Sequence, residues 1–232
     1  MRSFFLTGFL FAAFNMAVGQ QASTYKEYRK SFTTYPFSDP DPIPSQGAIY
    51  PYFRFDGFTN TPVQREWKVV ELENDYIKVV ILPEIGGKIW TAIEKQGNRP
   101  YIYNNQVVKF RDVAMRGPWT SGGLEPNYGI IGHTPNCATP VDYMVRANAD
   151  KSVSCIMTVL DLLTRTRWQL EVNLPHDKAF FTTRSFWYNP TDLEQPYYHW
   201  MNTGIKVKGN LEFIYPGTHY LGHGGEYADW PV

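Results

Sequence analysis

The side chains with the greatest chemical capacity lie in one Gly- and Pro-rich segment, residues 108–139, and directly after it. They are Arg116, Trp119, Glu125, Asn127, His133 and Asp142. A sugar presents flat C–H patches that pack on aromatic rings, and hydroxyls that hydrogen-bond to charged, amide and imidazole groups. The segment therefore predicts a carbohydrate site. The alternative is that Arg116 and Glu125 pair to hold the segment, while Trp119 fills the core.

Two sugar reactions are open to these groups. Glycoside cleavage would use Glu125 and Asp142 as one protonated and one ionised carboxyl, and their separation, which the sequence does not give, would decide it. Epimerisation at the anomeric carbon needs one group to take the hydroxyl proton and another to protonate the ring oxygen. His133, preceded by Gly132 and sharing its segment with Glu125, is the local candidate for such an acid. A solvated loop histidine is the alternative.

Metal and cofactor chemistry have little support in the sequence. His219 and His223 are four residues apart, but the glycines around them exclude the helix that would bring both to one face. The sequence contains no Gly-rich phosphate loop, serine nucleophile elbow or zinc-protease signature. We expect neither metal nor cofactor. Cys137 and Cys155 are the two cysteines, and one disulfide or two buried thiols are both open.

Composition excludes several classes of protein. The 232 residues suffice for a real core, and the 22 basic residues equal the 22 acidic ones, so there is no basic field to hold nucleic acid. Aromatic residues make up 16% of the chain, against 19% charged residues, which favours a folded β-rich protein. The same composition suits a helical bundle or a disordered tail less well.

Residues 1–19 are typical of a signal peptide. Arg2 supplies the basic start, residues 4–18 form an apolar run, and Ala17 and Gly19 are the small residues before a cleavage site. The run is shorter than the roughly 20 residues of a membrane span, and Asn15 interrupts it. We expect export to the periplasm or the medium, and no membrane span in the mature chain.

Most of the remaining chain has the pattern of short β-strands. Nine segments alternate or are β-branched, and turn residues separate them: 66–73, 76–82, 88–94, 141–147, 152–160, 166–174, 179–187, 197–207 and 211–215. The first two form a predicted hairpin around Asn74 and Asp75. Residues 22–30 could form a helical turn or two, and the proline-rich lead-in that follows must be extended. The spacing predicts antiparallel sheets packed as an all-β sandwich, with 108–139 as a long functional loop.

Several motifs together resemble a known family. The stretch 74–90, which ends in LPEIGGKIW, is similar to the first hairpin of galactose-mutarotase-like domains. Residues 50–57, 121–127 (SGGLEPN), 132–133, 140–143 and 189–192 resemble an uncharacterised bacterial family of that superfamily, often found ahead of tetratricopeptide repeats. The resemblance covers about residues 35–232 and implies a β-supersandwich whose concave face takes carbohydrate. It implies a catalytic role for a histidine after an Asn-Pro-Thr-like turn, here His199, although the residues around it do not keep the mutarotase order.

These observations predict a signal peptide at 1–19, a Pro- and aromatic-rich lead-in at 20–63 packed on the domain, and a mutarotase-like domain at 64–232. We expect this domain to be an incomplete N-terminal part of the β-supersandwich. The catalytic candidates are Glu125, His133 and Asp142, and the sugar-binding candidates are Arg116, Trp119, Asn127 and His199. The domain is either a sugar epimerase or glycoside hydrolase, or a non-catalytic carbohydrate-binding or assembly module attached to helical repeats. An acid/base pair across the pocket favours the enzyme, and aromatic rings without one favour the binder.

Overall fold

The structure is a computed structural model, and it describes residues 21–114, 117–129, 136–222 and 224–230. Over these ranges the chain forms strands and no helix, so the all-β prediction is confirmed. The strands are β1 Thr24–Tyr35, β2 Val63–Glu73, β3 Ile77–Leu82, β4 Lys88–Glu94, β5 Arg99–Pro100, β6 Val108–Lys109, β7 Arg111–Ala114, β8 Gly117–Trp119, β9 Leu124–Asn127, β10 Asp142–Ala147, β11 Val153–Leu160, β12 Arg167–Leu174, β13 Thr182–Tyr188, β14 Trp200–Thr203, β15 His219–Leu221 and β16 Tyr227–Asp229.

The larger sheet carries the N-terminal strands. Its order is β14-β9-β4-β3-β2-β1-β6, with β5 paired to β4 beside this path. Neighbouring strands are antiparallel except β1 and β6, which are parallel. The smaller sheet is the meander β10-β11-β12-β13, while β7-β8 and β15-β16 form separate two-stranded ribbons.

The two main sheets pack face to face over one apolar core. The inward side chains of β2, β3 and β4, such as Val70, Val79 and Ile89, meet those of β11 and β12, such as Met157 and Leu170. Strand alternation explains this, because every second residue of these strands is apolar and points to the same side. The observed architecture is therefore a sandwich, as the strand spacing predicted.

The large sheet has a second apolar cluster on its other side. Trp67, Val69, Leu82 and Trp90 pack there with Phe32 of β1. We call the surface of the large sheet that is turned away from the small sheet the far face. Its apolar cluster means that the far face is partly covered, and that β1 is an integral strand of the sheet.

The predicted hairpin is confirmed: β2 and β3 pair antiparallel, with Val70 opposite Ile81 and Glu73 opposite Lys78. Asn74 sets the turn, because its Oδ1 accepts hydrogen bonds from the backbone N–H groups of Tyr76 and Ile77 at 2.8 Å each. Its Nδ2 donates to the carbonyl oxygens of Pro175 and Lys178 at 2.7 and 2.8 Å, which ties the hairpin to the small sheet.

Three local predictions are wrong. Residues 22–30 are not helical, because β1 pairs with β2 along almost its whole length. The segment 108–139 is not one loop: it contributes β6 to β9, and β9 lies between β4 and β14. Residues 211–215 form no strand. In each case the presence or absence of a partner strand, which local sequence does not reveal, decides the conformation.

Other predictions concern termini and cysteines. The predicted signal peptide lies outside the described residues. In the part of the chain that the structure covers, no helix is long and apolar enough to span a membrane. Cys137 and Cys155 are both buried free thiols, so they form no disulfide.

Candidate functional site

A buried ion pair lies on the far face where β4 and β9 meet. The two strands pair at Ile89 and Leu124, whose side chains point toward the small sheet. Alternation therefore turns the neighbouring Lys88 and Glu125 to the far face. Lys88 Nζ lies 3.8 Å from Glu125 Oε2, and each side chain is only 4% exposed. The pair is thus almost completely removed from water.

Neutral groups hold both charges in place. Lys88 Nζ donates to the carbonyl oxygen of Thr120 and, at 3.0 Å, to its Oγ1. Cys137 Sγ donates to Glu125 Oε1 at 3.2 Å. Burial lowers the pKa of Lys88, and the negative charge of Glu125 opposes this effect. Burial is also the main cause that raises the pKa of Cys137 well above its usual value, and the charge of Glu125 adds to it. Cys137 therefore stays a thiol and acts as a donor to the carboxylate.

Two glycine positions make this arrangement possible. Gly86 has φ +64°, and a Cβ there would lie 2.6 Å from the carbonyl oxygen of Asn136. Its N–H donates to the carbonyl oxygen of Thr139 at 2.9 Å. The turn before Lys88 thus holds the segment that carries Cys137 against Glu125. Gly123, at φ +69°, allows a similar close approach of β9 to the carbonyl of Ile89.

Trp119 lies next to the buried pair. It ends β8 and is half-buried, and Lys88 Nζ lies 5.5 Å from the centre of its ring. Lys88 holds the following residue, Thr120, through two hydrogen bonds, so the same ammonium group orients the segment that carries the indole. The indole therefore lies close to the buried charges, and Trp119 remains partly exposed to solvent.

Asn127 and His199 extend the site along β9. Alternation places Asn127 on the same face as Glu125, and its side chain is buried. Nδ1 of His199 hydrogen-bonds to the carbonyl oxygen of Asn127 at 2.8 Å, just before β14 pairs with β9. Glu125 and Asn127 thus lie on one face of β9. Trp119 is linked to Glu125 through Lys88, and His199 is linked to the backbone of Asn127.

The structure does not bring Asp142 into this group. Asp142 begins β10, and Tyr143 and Val145 of that strand pack on the core of the sandwich. Alternation leaves Asp142 exposed on the outer surface of the small sheet, whereas Glu125 is buried on the far face of the large one. The two carboxyl groups lie on opposite sides of the sandwich and cannot act on one glycosidic bond.

Two candidates cannot be located: Arg116 and His133 lie outside the described residues. Within the described ranges, no group of three or more His, Cys, Asp and Glu side chains is arranged to hold a metal ion.

Sequence reasoning missed Lys88 and Cys137. A lysine between two glycines and the apolar pair Ile89-Trp90 was a usable signal, because a lysine at the start of a buried strand needs a partner. No comparable signal marked Cys137 as a donor to Glu125.

Comparisons with known proteins give a family and a fold. The family model described as "Domain of unknown function (DUF5107)" matches residues 44–232. Among solved structures, a TPR-domain containing protein from Parabacteroides distasonis superposes with a TM-score of 0.73 at 23% sequence identity. The match covers 79% of this chain and 32% of that protein, so this chain spans about a third of its length. At this identity the likeness shows a shared fold.

Proposed function

The chain belongs to the DUF5107 family, defined by a domain of unknown function, and we propose that this domain binds carbohydrate on its far face beside Trp119. The observation that carries the proposal is a half-buried indole next to the desolvated Lys88–Glu125 pair, on the large sheet of an all-β sandwich. The indole offers the flat apolar surface that a sugar ring packs on. The glycines and polar residues of 117–123 offer hydrogen-bonding groups around it.

The burial of Glu125 favours a binding function over a catalytic one. A general acid or base must come within hydrogen-bond reach of the proton that it transfers. Glu125 is 3% exposed and is engaged by Lys88 and Cys137, so its carboxylate is positioned to hold the segment rather than to meet a substrate. The primary proposal is therefore a non-catalytic carbohydrate-binding module, in which the buried pair positions Trp119.

An enzyme is the second candidate. The observation in its favour is the same pair, because a desolvated lysine beside a carboxylate is the kind of environment that tunes acid/base groups. An epimerase or glycoside hydrolase would need Glu125, which is buried and engaged by Lys88 and Cys137, to become accessible to the substrate. Asp142 has no role in that version, because it lies on the opposite side of the sandwich.

The resemblance to galactose-mutarotase-like domains supports the same location, because the far face would correspond to the concave face that takes sugar in that superfamily. We also propose that the protein is exported, from the signal-like pattern of residues 1–19. We further propose that the domain acts beside helical repeats in a longer protein. The Parabacteroides protein, which contains a TPR domain, supports this last proposal.

The test is glycan binding by the exported chain and two tryptophan variants. An array of bacterial, plant and host glycans identifies a ligand, and calorimetric titration measures its affinity. Trp119→Ala removes the proposed stacking surface and should weaken binding about tenfold or more. Trp230→Ala is the matched control, because Trp230 is also half-buried but lies beside the β15-β16 ribbon. No bound glycan, or equal effects of the two variants, would contradict the proposal.

A turnover assay separates the two candidates. The glycan identified on the array is incubated with the wild type and with Glu125→Gln, and products and optical rotation are followed. A binding module leaves the glycan unchanged in both samples. Turnover by the wild type that Glu125→Gln abolishes, with binding retained, would establish the enzyme instead.

A further inference from the structure

The far face carries a second feature, a cleft of about 580 Å³ across strands β1 to β4. Its walls include Tyr28, Phe32, Glu71, Lys78, Trp90 and Asn105. The volume falls within the range of roughly 300–1,000 Å³ that small-molecule sites occupy. We call this feature the far-face cleft.

Tyr28 forms a fixed aromatic surface in this cleft. Tyr28 is 37% exposed, and its hydroxyl donates to Glu71 Oε2 at 3.1 Å. Glu71 is buried and is held in turn by Lys78 Nζ, 3.2 Å from its Oε1. Burial and, to a smaller extent, the negative charge of Glu71 raise the pKa of Tyr28 to about 12. The hydroxyl therefore stays a donor across the physiological pH range. The ring is therefore oriented before any ligand arrives, which lowers the entropic cost of binding.

One part of the lining is polar and is continuous with residues 117–123, which include Trp119. It contains the amides of Asn104, Asn105 and Gln106. Asn105 Nδ2 donates to the carbonyl oxygen and Oγ of Ser121 at 2.9 and 2.7 Å. The cleft therefore adjoins the segment that includes Trp119.

The charges of the cleft favour a neutral, hydroxyl-rich ligand. Lys78 compensates Glu71, and the nearby amides are neutral donors and acceptors. Lys30 is the remaining cation of the lining, and its ammonium group lies over the ring of Phe32, 5.1 Å from its centre. One lysine at the rim does not form the cationic cluster that a polyphosphate requires.

We propose that the far-face cleft is an extended saccharide subsite centred on Tyr28, so that the ligand is an oligosaccharide held at both Trp119 and Tyr28. This inference rests on the proposed function and adds the size of the ligand and a second aromatic contact. One sugar ring packs on Tyr28 while its hydroxyls meet the amides of the polar lining. A monosaccharide occupies only one of the two places.

The experiment titrates the full chain with cello-, xylo-, malto- and chito-oligosaccharides, each from mono- to hexasaccharide. The wild type should bind the longer members of one series about tenfold or more tightly than its monosaccharide. Tyr28→Ala should remove most of that gain, and Tyr28→Phe, which keeps the ring, should retain it within a few fold. Tyr25→Ala is the matched control, because Tyr25 lies on the same strand, is 43% exposed and points to the other face.

A further variant protects the test against misfolding. Gln106 is exposed and belongs to the polar lining of the cleft, so Gln106→Ala should leave the melting temperature unchanged while weakening the longer oligosaccharides. Oligosaccharide binding that Trp119→Ala weakens, but that Tyr28→Ala and Gln106→Ala leave intact, would overturn the subsite and leave the proposed function standing. No binding of any saccharide by the wild type, here and on the array, would overturn both. Equal affinity for monosaccharides and hexasaccharides would overturn the subsite alone.

Discussion

Replacing Lys88 by methionine tests the idea that a buried charge pair holds the candidate site together. The two side chains are 4% exposed each, so water and salt screen their interaction poorly. Lys88→Met keeps the length of the side chain but removes the cation 3.8 Å from Glu125 Oε2 and the hydrogen bonds to Thr120. Removing one member of a buried pair costs about 3–5 kcal/mol of unfolding free energy, since it leaves a buried charge uncompensated.

The double variant Lys88→Met/Glu125→Leu separates charge from shape. It removes both charges, so stability should recover to near the wild-type value or above it, in line with apolar replacements of buried pairs. The matched control is Lys95→Met, because Lys95 Nζ lies only 2.7 Å from Glu73 Oε1 but the side chains are 35% and 24% exposed. We expect that shorter but wetter pair to contribute under about 1 kcal/mol.

Urea unfolding followed by tryptophan fluorescence measures these differences. A loss for Lys88→Met no larger than that for Lys95→Met would refute the argument, because distance rather than burial would then set the energy. A double variant as unstable as Lys88→Met would also refute it, since the cost would then come from packing and not from an uncompensated carboxylate.

Two further predictions rest on the structure and one on the sequence. Gly86→Ala should destabilise the domain by about 1–3 kcal/mol more than Gly47→Ala in thermal melts, because both glycines have positive φ but only the first has a backbone oxygen in the way. Cys137 and Cys155 should resist a thiol reagent at pH 8 until urea unfolds the chain. Rapid labelling of the folded protein would contradict this. Burial raises the pKa of both thiols, that of Cys155 to about 12. The stability that the two thiols contribute should therefore be complete below pH 9, the ordinary thiol pKa, and should fall in thermal melts as the pH rises toward 12. Mass spectrometry of the exported protein should show Gln20 as the first residue, and an intact Met1 outside the cytoplasm would disprove the signal peptide.

Local pattern was enough for the fold class and for much of the strand inventory. The alternation in 66–73 and the β-branched run in 76–82, separated by Asn74, predicted the β2-β3 hairpin because these signals act between neighbours in the chain. It also singled out Glu125 and Trp119, since their segment combines glycines with the aromatic and charged groups that a sugar site needs, although both residues lie in short strands. Strand β1 was not predictable in this way, because its conformation depends on pairing with the distant β2.

The partners of the site residues were decided by tertiary structure. Glu125 and Asp142 have the same chemistry and lie close in sequence, but one belongs to β9 and the other to β10, in different sheets. The sequence by itself determined that strands form and which of their side chains alternate. Only the folded chain determined that Lys88 and Cys137 meet Glu125 and that Asp142 faces away. The physical reason is that sheet order and register arise from hydrogen bonds and burial between segments far apart in the chain, which no local pattern records.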